Sequence, residues 1–209
     1  LWYATFGPKG QRVITTSYDG SVRIWDLSTG GEIQSFVGHN EYVRKAAFNN
    51  DGQRVLTASR DGTARLWNVA TGREIRRFQV LGARMSSAKF SPDETLVLTT
   101  SSDKRARLWE VETGHEIEIF GAHEGGIDRV LMTPDGRWII GRRTFGNSVW
   151  LWPTPQAGLN ALLKRTGKLT NYRVCKDTLK VVAVLPFPKP ETVWAEETNP
   201  DLCKKQAAP

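Results

Sequence analysis

The sequence predicts an all-β fold built from repeated units of four antiparallel strands. A tryptophan recurs at an interval of 42 residues, and an aspartate six positions before it keeps the same interval. These pairs are Asp19 with Trp25, Asp61 with Trp67, and Asp103 with Trp109. A fourth copy ends at Trp152, one residue late. Four short strands in a period of this length are typical of a β-propeller blade.

The central hairpin of each copy is clearest in the second one. Residues 54–59 are mostly β-branched or apolar, which favours a strand. Arg60, Asp61 and Gly62 supply turn-forming residue types, and residues 63–68 return as the next strand.

Two further strands flank each hairpin. The first strands end in Phe6, Phe48, Phe90 and Met132. The fourth strands of the first three copies are predicted at residues 32–37, 74–80 and 116–120. We expect the fourth copy, residues 127–152, to lack a recognisable fourth strand.

The chain resembles the WD-repeat family through Trp25-Asp26, through Gly38-His39 and through the spacing of Ser59, Asp61 and Trp67. The resemblance covers roughly residues 1–153. In that family a His, a Ser or Thr, an Asp and a Trp of one blade form a hydrogen-bonded chain that pins the loops to the sheet. The resemblance implies such networks at Ser17, Asp19 and Trp25; at His39, Ser59, Asp61 and Trp67; at Ser101, Asp103 and Trp109; and at His123 and Trp152.

The copies depart from this pattern at identifiable positions. The histidine of the first copy would precede Leu1, and the third copy has Leu81 at the corresponding place. The fourth copy keeps His123, but residues 142–147 replace its hairpin turn. The replaced turn makes the fourth copy depart furthest from the family pattern.

His39, Ser59 and Asp61 are the residue types of a nucleophilic triad, which suggests an enzyme as one hypothesis. Ser and Asp recur two apart in three copies, however, and a single active site has no need of three copies. The histidines show no metal-ligand spacing with one another or with cysteine. We therefore expect a non-catalytic protein with no cofactor and no metal, and a propeller-based hydrolase is the alternative.

One end of the blades is the expected partner-binding face. The hairpin turns and the loops that enter the first strands lie at the same end, which is the commonest binding face in the family. Two Tyr and two Arg among these loop residues are types enriched in interface hot spots. The predicted face comprises Tyr18, Tyr42, Arg60, Arg84, Ser102, Arg142 and Phe145.

The net charge of +7 raises the possibility of nucleic-acid binding. The basic residues form no dense run, and Arg23, Arg65 and Arg107 belong to the repeat pattern. We therefore expect no nucleic-acid partner, although a basic nucleic-acid scaffold stays an alternative.

No run of 18 apolar residues suggests a membrane span, and we expect a cytoplasmic protein.

The predicted organisation is four blades followed by a tail. The blades are assigned to about residues 1–37, 38–80, 81–120 and 121–153. Residues 154–209 are expected to hold a short helix at 156–166, one or two strands and a Pro-rich irregular end. This tail contains Cys175 and Cys203, whose pairing the sequence leaves open.

The four blades are expected to form a partial or open propeller. No strand precedes the first blade to complete the last one, so we expect the C-terminal part of a larger bacterial WD-repeat protein. A closed four-bladed ring and the pairing of two chains are the alternatives. An open arc should expose apolar residues of the end blades, including Val13, Val22, Ile24, Ile139 and Val149.

The predicted function is a protein-interaction scaffold or sensor module for a protein or peptide partner. WD-repeat arrays at the end of a chain resemble the sensor ends of bacterial signalling proteins. The resemblance implies upstream blades or a nucleotide-hydrolysing or kinase domain in a longer chain.

Overall fold

The fold consists of fifteen β-strands in a computed structural model, which describes residues 1–121, 127–143 and 149–154. The first blade holds β1 (Tyr3–Phe6), β2 (Arg12–Thr16), β3 (Val22–Asp26) and β4 (Glu32–Phe36). The second holds β5 (Val43–Phe48), β6 (Arg54–Ser59), β7 (Thr63–Asn68) and β8 (Glu74–Gln79). The third holds β9 (Met85–Phe90), β10 (Leu96–Ser101), β11 (Ala106–Glu110) and β12 (Glu116–Phe120). The fourth holds β13 (Ile127–Met132), β14 (Trp138–Arg143) and β15 (Val149–Pro153).

Each blade is a separate antiparallel sheet whose strands pair in chain order. Three sheets have four strands, and the described part of the fourth has three. The register shifts between the third and fourth strands at each repeated tryptophan, namely at Trp25, Trp67 and Trp109. The predicted all-β fold of propeller blades is confirmed, and the four separate sheets fit a partial propeller.

Glycine is required in the hairpin turns of the first two blades. Gly20 and Gly62 have φ angles of 83° and 86°, which L side chains rarely adopt. A Cβ at Gly20 would lie 2.6 Å from the backbone oxygen of His39, and one at Gly62 would lie 2.8 Å from that of Ala83. Each turn therefore packs tightly on the loop that enters the next blade.

The hydrophobic core lies between successive blades, in three clusters. A phenylalanine at the end of each fourth strand packs against the tryptophan of the next blade. The ring centroids are 5.5 Å apart for Phe36 and Trp67, 5.8 Å for Phe78 and Trp109, and 5.4 Å for Phe120 and Trp152. Each blade thus buries one face against its neighbour, as in other repeat architectures.

The expected exposure of apolar residues on the end blades is partly wrong. Val22, Ile24 and Ile139 are fully buried because they face the neighbouring blade and belong to the clusters between blades. Val13 is half-buried. The side chain of Val149 lies outside the described residues.

Several predictions concern residues outside the described part of the chain. These are the helix at 156–166, the extended segments of the tail, Cys175 and Cys203, and the site residues His123 and Phe145. The boundaries of the blades and the tail stay a prediction.

Within the described ranges, no helix is long and apolar enough to cross a membrane.

Candidate functional site

The second blade contains a buried hydrogen-bond network around His39. Its Nδ1 lies 2.7 Å from Oδ2 of Asp61, and its Nε2 lies 2.7 Å from Oγ1 of Thr57. Trp67 Nε1 donates to the same Thr57 hydroxyl at 2.9 Å. Asp61 also accepts hydrogen bonds from the backbone nitrogen and the hydroxyl of Thr63. The network therefore connects the loop before β5 to the sheet through β6 and β7.

The protonation of His39 follows from its surroundings. Burial lowers the pKa of His39 below its ordinary value and outweighs the opposing effect of Asp61. Burial alone would raise the pKa of Asp61, but hydrogen bonds from His39 and Thr63 bring that pKa well below its usual range. A neutral imidazole then donates from Nδ1 to the Asp61 carboxylate and accepts a hydrogen bond from the Thr57 hydroxyl at Nε2.

The hydroxyl that joins the histidine to the tryptophan is Thr57, whereas the resemblance had implied Ser59. Ser59 Oγ instead donates to the backbone oxygens of Glu41 and Tyr42 at 2.9 and 3.1 Å. Thr57 lies ten residues before Trp67, where antiparallel pairing brings its side chain next to the indole nitrogen. Sequence reasoning missed Thr57, although a Thr recurs at the same 42-residue interval at Thr15 and Thr99.

The first blade repeats the tryptophan contact without a histidine. Trp25 Nε1 donates to Thr15 Oγ1 at 2.8 Å. Asp19 accepts a hydrogen bond from the Ser21 backbone, and contacts with Ser21 lower the pKa of Asp19 to about 2. In this blade the aspartate therefore orders an exposed turn.

In the third blade, which has Leu81 where the second has His39, an arginine of the sheet makes the contacts with the turn. Arg107 donates to Ser101 Oγ at 2.9 Å and to Asp103 Oδ2 at 2.6 Å. Trp109 Nε1 donates to Thr99 Oγ1 at 2.8 Å. Leu81 is 85% exposed and takes no part in the network. Arg107 thus holds Asp103 through an ion pair, as its repeat equivalent Arg65 does for Asp61 at 3.4 Å.

The fourth blade keeps the tryptophan in a different environment. Trp152 is 6% exposed, and Arg142 occupies the position ten residues before it, where the other blades have Thr. A Cβ at Gly141 would lie 2.5 Å from the Trp152 ring, so the indole packs on the backbone of β14. His123 lies outside the described residues.

Four residues of the predicted binding face and its surroundings form one cluster, here called the aromatic rim: Trp2, Tyr18, Tyr42 and Arg60. The ring centroids lie 5.1 Å apart for Trp2 and Tyr18, 5.3 Å for Trp2 and Tyr42, and 5.3 Å for Tyr18 and Tyr42. The Arg60 guanidinium lies 4.8 Å from the Tyr42 ring centroid, a cation–π geometry. Trp2 and Tyr18 remain 41% and 60% exposed.

Other residues of the predicted face lie elsewhere. Arg84 and Ser102 contact each other, through the Ser102 hydroxyl and through backbone hydrogen bonding. Arg142 is exposed on β14, and Phe145 lies outside the described residues. Sequence reasoning missed Trp2, which lies immediately before β1, because it singled out only Tyr42 and Arg84 among the residues that precede first strands. The signal in the sequence was an aromatic residue immediately before the first predicted strand pattern.

The described residues offer little for catalysis or metal binding. No group of three or more His, Cys, Asp and Glu side chains among them could hold a metal ion. His39 and Asp61 are committed to the network inside the blade, at 8% exposure for His39.

The chain matches a known family over its first three blades. The family model described as WD domain, G-beta repeat matches residues 1–26, 30–68 and 77–110. Repeats of this type generally mediate protein–protein interactions, and proteins built from them are generally non-catalytic scaffolds. No curated protein matches the sequence.

Proposed function

Because the chain belongs to the WD-repeat family through its first three blades, we propose that it is a non-catalytic module that binds a protein or peptide partner at the aromatic rim. The blades act as a rigid support. They hold Trp2, Tyr18, Tyr42 and Arg60 in one fixed arrangement. Because few of these side chains have to be ordered on binding, contact with a partner costs little conformational entropy.

The observation that carries this proposal is the mutual contact of three aromatic rings and one guanidinium at a partly exposed site. Trp, Tyr and Arg are the residue types most enriched in interface hot spots. Tyr and Trp also combine a large apolar surface with a polar group that can bind a partner. The rim thus has the chemistry of an interface centre.

The network of the second blade supports a non-catalytic role. A general base needs access to a substrate proton, but both ring nitrogens of His39 already have partners inside the blade. The related contacts of Arg107 in the third blade serve the same structural purpose with different chemistry. We infer that these residues stabilise the loops that shape the binding surface.

A sensor or scaffold role in signalling is the more specific proposal. It rests on the resemblance to WD-repeat arrays of bacterial signalling proteins. We propose a nucleotide-hydrolysing or kinase domain as the functional companion, in a cytoplasmic protein. Intact-mass measurement of the native polypeptide in its source cells tests this proposal, because such a companion in the same chain requires a mass well above 23.4 kDa.

The rim is tested by affinity capture from source cells with the wild-type chain and a Tyr18→Ala/Arg60→Ala variant. We expect a partner captured by the wild-type chain to be lost with the variant, and purified partner to bind with at least tenfold lower affinity. Phe6→Ala is the matched control, because Phe6 is 69% exposed and lies outside the rim. Equal capture by wild type, rim variant and control would show that the rim is not the binding site.

A further inference from the structure

A groove of about 560 Å³ lies along the first strands of the second, third and fourth blades. It is lined by five cationic residues, Arg44, Lys45, Lys89, Lys104 and Arg129, together with serine and threonine residues. Within the described part of the chain, its lining contains no Asp or Glu. The volume falls in the range of small-molecule sites, roughly 300 to 1,000 Å³.

The repeat explains why these charges converge. Lys45 and Arg129 occupy equivalent positions of β5 and β13, two repeat periods apart, with Ser87 of β9 at the equivalent position between them. Lys89 lies two residues beyond Ser87 and so points to the same side of its strand. Because β5 contacts β9, side chains from separate blades meet in one groove.

No ion pair neutralises the groove cations within the part of the chain that the structure describes. None of the five forms an ion pair with a carboxylate within the described ranges, although Lys45 Nζ lies 5.3 Å from the Tyr3 ring centroid. Partial burial lowers the pKa of Lys89, and the positive charges of Lys45 and Arg129 lower it further. This mutual repulsion would be relieved by a bound anion.

A second, independent feature is an unpaired hydroxyl in the groove wall. Thr100 is only 1% exposed and lines the groove, and its Oγ1 has no hydrogen-bond partner in the described structure. A buried hydroxyl without a partner costs free energy. After rotation of the Thr100 side chain toward the groove, this hydroxyl would donate a hydrogen bond to an anionic oxygen there.

The backbone of Lys104 provides a third feature. Its φ angle is 63°, in the left-handed region, where the first two blades have Gly20 and Gly62 at the equivalent turn position. A lysine there is strained relative to glycine. The lysine at this turn position places a further positive charge at the groove.

We propose that this groove binds a small ligand carrying two or more phosphate groups. Arginine and lysine provide the charge, Arg44 and Arg129 can pair with phosphate oxygens in bidentate fashion, and Thr100 with its neighbouring serines donates hydrogen bonds. The site is distinct from the aromatic rim and does not depend on the proposed partner binding there.

The test is isothermal titration calorimetry of the 209-residue protein with sodium tripolyphosphate at physiological ionic strength. We expect saturable binding at one site by the wild-type chain. A Lys45→Gln/Arg129→Gln variant should bind at least tenfold more weakly. Arg73→Gln, which removes an exposed charge outside the groove lining, should bind like the wild type. Absence of saturable binding, or equal weakening in Arg73→Gln, would overturn the proposal.

Two variants that should not harm folding separate ligand binding from stability. Thr100→Val and Lys104→Gly should each lower the affinity for tripolyphosphate while leaving the melting temperature unchanged or raised. Wild-type affinity in both variants would overturn the proposal. The rim variant Tyr18→Ala should keep full tripolyphosphate affinity, so failure of one site is distinguishable from failure of the other.

The class of ligand is tested by comparing probes on the wild-type chain. Adenosine triphosphate should bind as well as or better than tripolyphosphate if the phosphates carry recognition. A pentaglutamate peptide and a peptide with one phosphoserine should bind more weakly. Stronger binding of either peptide would overturn the assignment to a small polyphosphate ligand.

Discussion

Thr57 is the residue on which the second blade's network depends. Its hydroxyl is the shared partner of Trp67 Nε1 and His39 Nε2, and its side chain is fully buried. Thr57→Val keeps the shape but leaves two buried nitrogen groups without partners. We expect the free energy of unfolding to fall by about 1 to 3 kcal/mol, measured by chemical denaturation.

Thr100→Val is the matched control for this substitution. Thr100 is as buried as Thr57, but its hydroxyl has no partner in the described structure. The same change there removes a polar group that gains nothing from burial, so stability should be unchanged or raised. Equal losses in the two variants would contradict the role given to the Thr57 hydroxyl.

The lowered pKa of His39 predicts a pH dependence of stability. The unfolded chain takes up a proton near the ordinary pKa of 6.5, while the folded His39 stays neutral to lower pH. The unfolded state then binds more protons, so stability is lost as the pH falls from 7 to 5, by at most about 1.4 kcal/mol per pH unit for one proton. Urea denaturation at pH 7, 6 and 5 measures this loss.

The variant His39→Gln should be less stable at pH 7 but should lose less stability on acidification than the wild type. Asp61 does not interfere, because its lowered pKa makes its contribution disappear only at more acid pH, below its ordinary value of 3.8. The exposed His115→Gln serves as the control and should keep the wild-type slope. The same slope in wild type and His39→Gln would show that His39 is not the group responsible.

The sequence predicts the residue types of the networks better than their partners. Thr57 and Ser59 are both hydroxyl residues near the end of β6, and only the strand pairing of Val55 with Trp67 decides which one meets the indole. Leu81 shows that the third blade lacks the histidine. The 42-residue spacing relates Arg107 to Arg65, but the shorter contact that Arg107 makes with Asp103 depends on side-chain geometry.

At the scale of elements, the strands are predicted well because the same pattern of strand and turn residues recurs in three copies. The segments expected at 54–59, 63–68 and 116–120 are observed as β6, β7 and β12 with the same bounds. Strand alternation and turn residues are local signals, so they can be read from a short window.

Contacts between elements are less predictable. Glu94 has a φ of 60° where the other blades have glycine, and its carboxylate accepts hydrogen bonds from Asn49 and Arg54 of the preceding blade. The cationic groove lined by Lys45, Lys89 and Arg129 likewise combines residues of three blades. Such contacts arise only when blades are placed side by side, which a single repeat does not encode.

At the scale of the whole molecule, the blades differ in how much of each sheet is buried. Nearly every residue of β6, β7, β10 and β11 is buried, because the second and third blades pack against a neighbour on both faces. In β2 and β3 buried residues alternate with half-buried ones, since the described structure covers one face of the first blade.

This difference predicts the order of hydrogen exchange in the 209-residue chain. Amides of β6, β7, β10 and β11 should exchange at least tenfold more slowly than those of β2 and β3, because local opening is easier where one face lacks packing. Exchange followed by mass spectrometry at two protein concentrations measures both sets. Equal protection of β2 and β3 at high concentration only would mean that a second copy covers the outer face of the first blade. Equal protection at both concentrations would contradict the picture of an open arc of blades, because the outer face of that blade would then be covered within the chain itself.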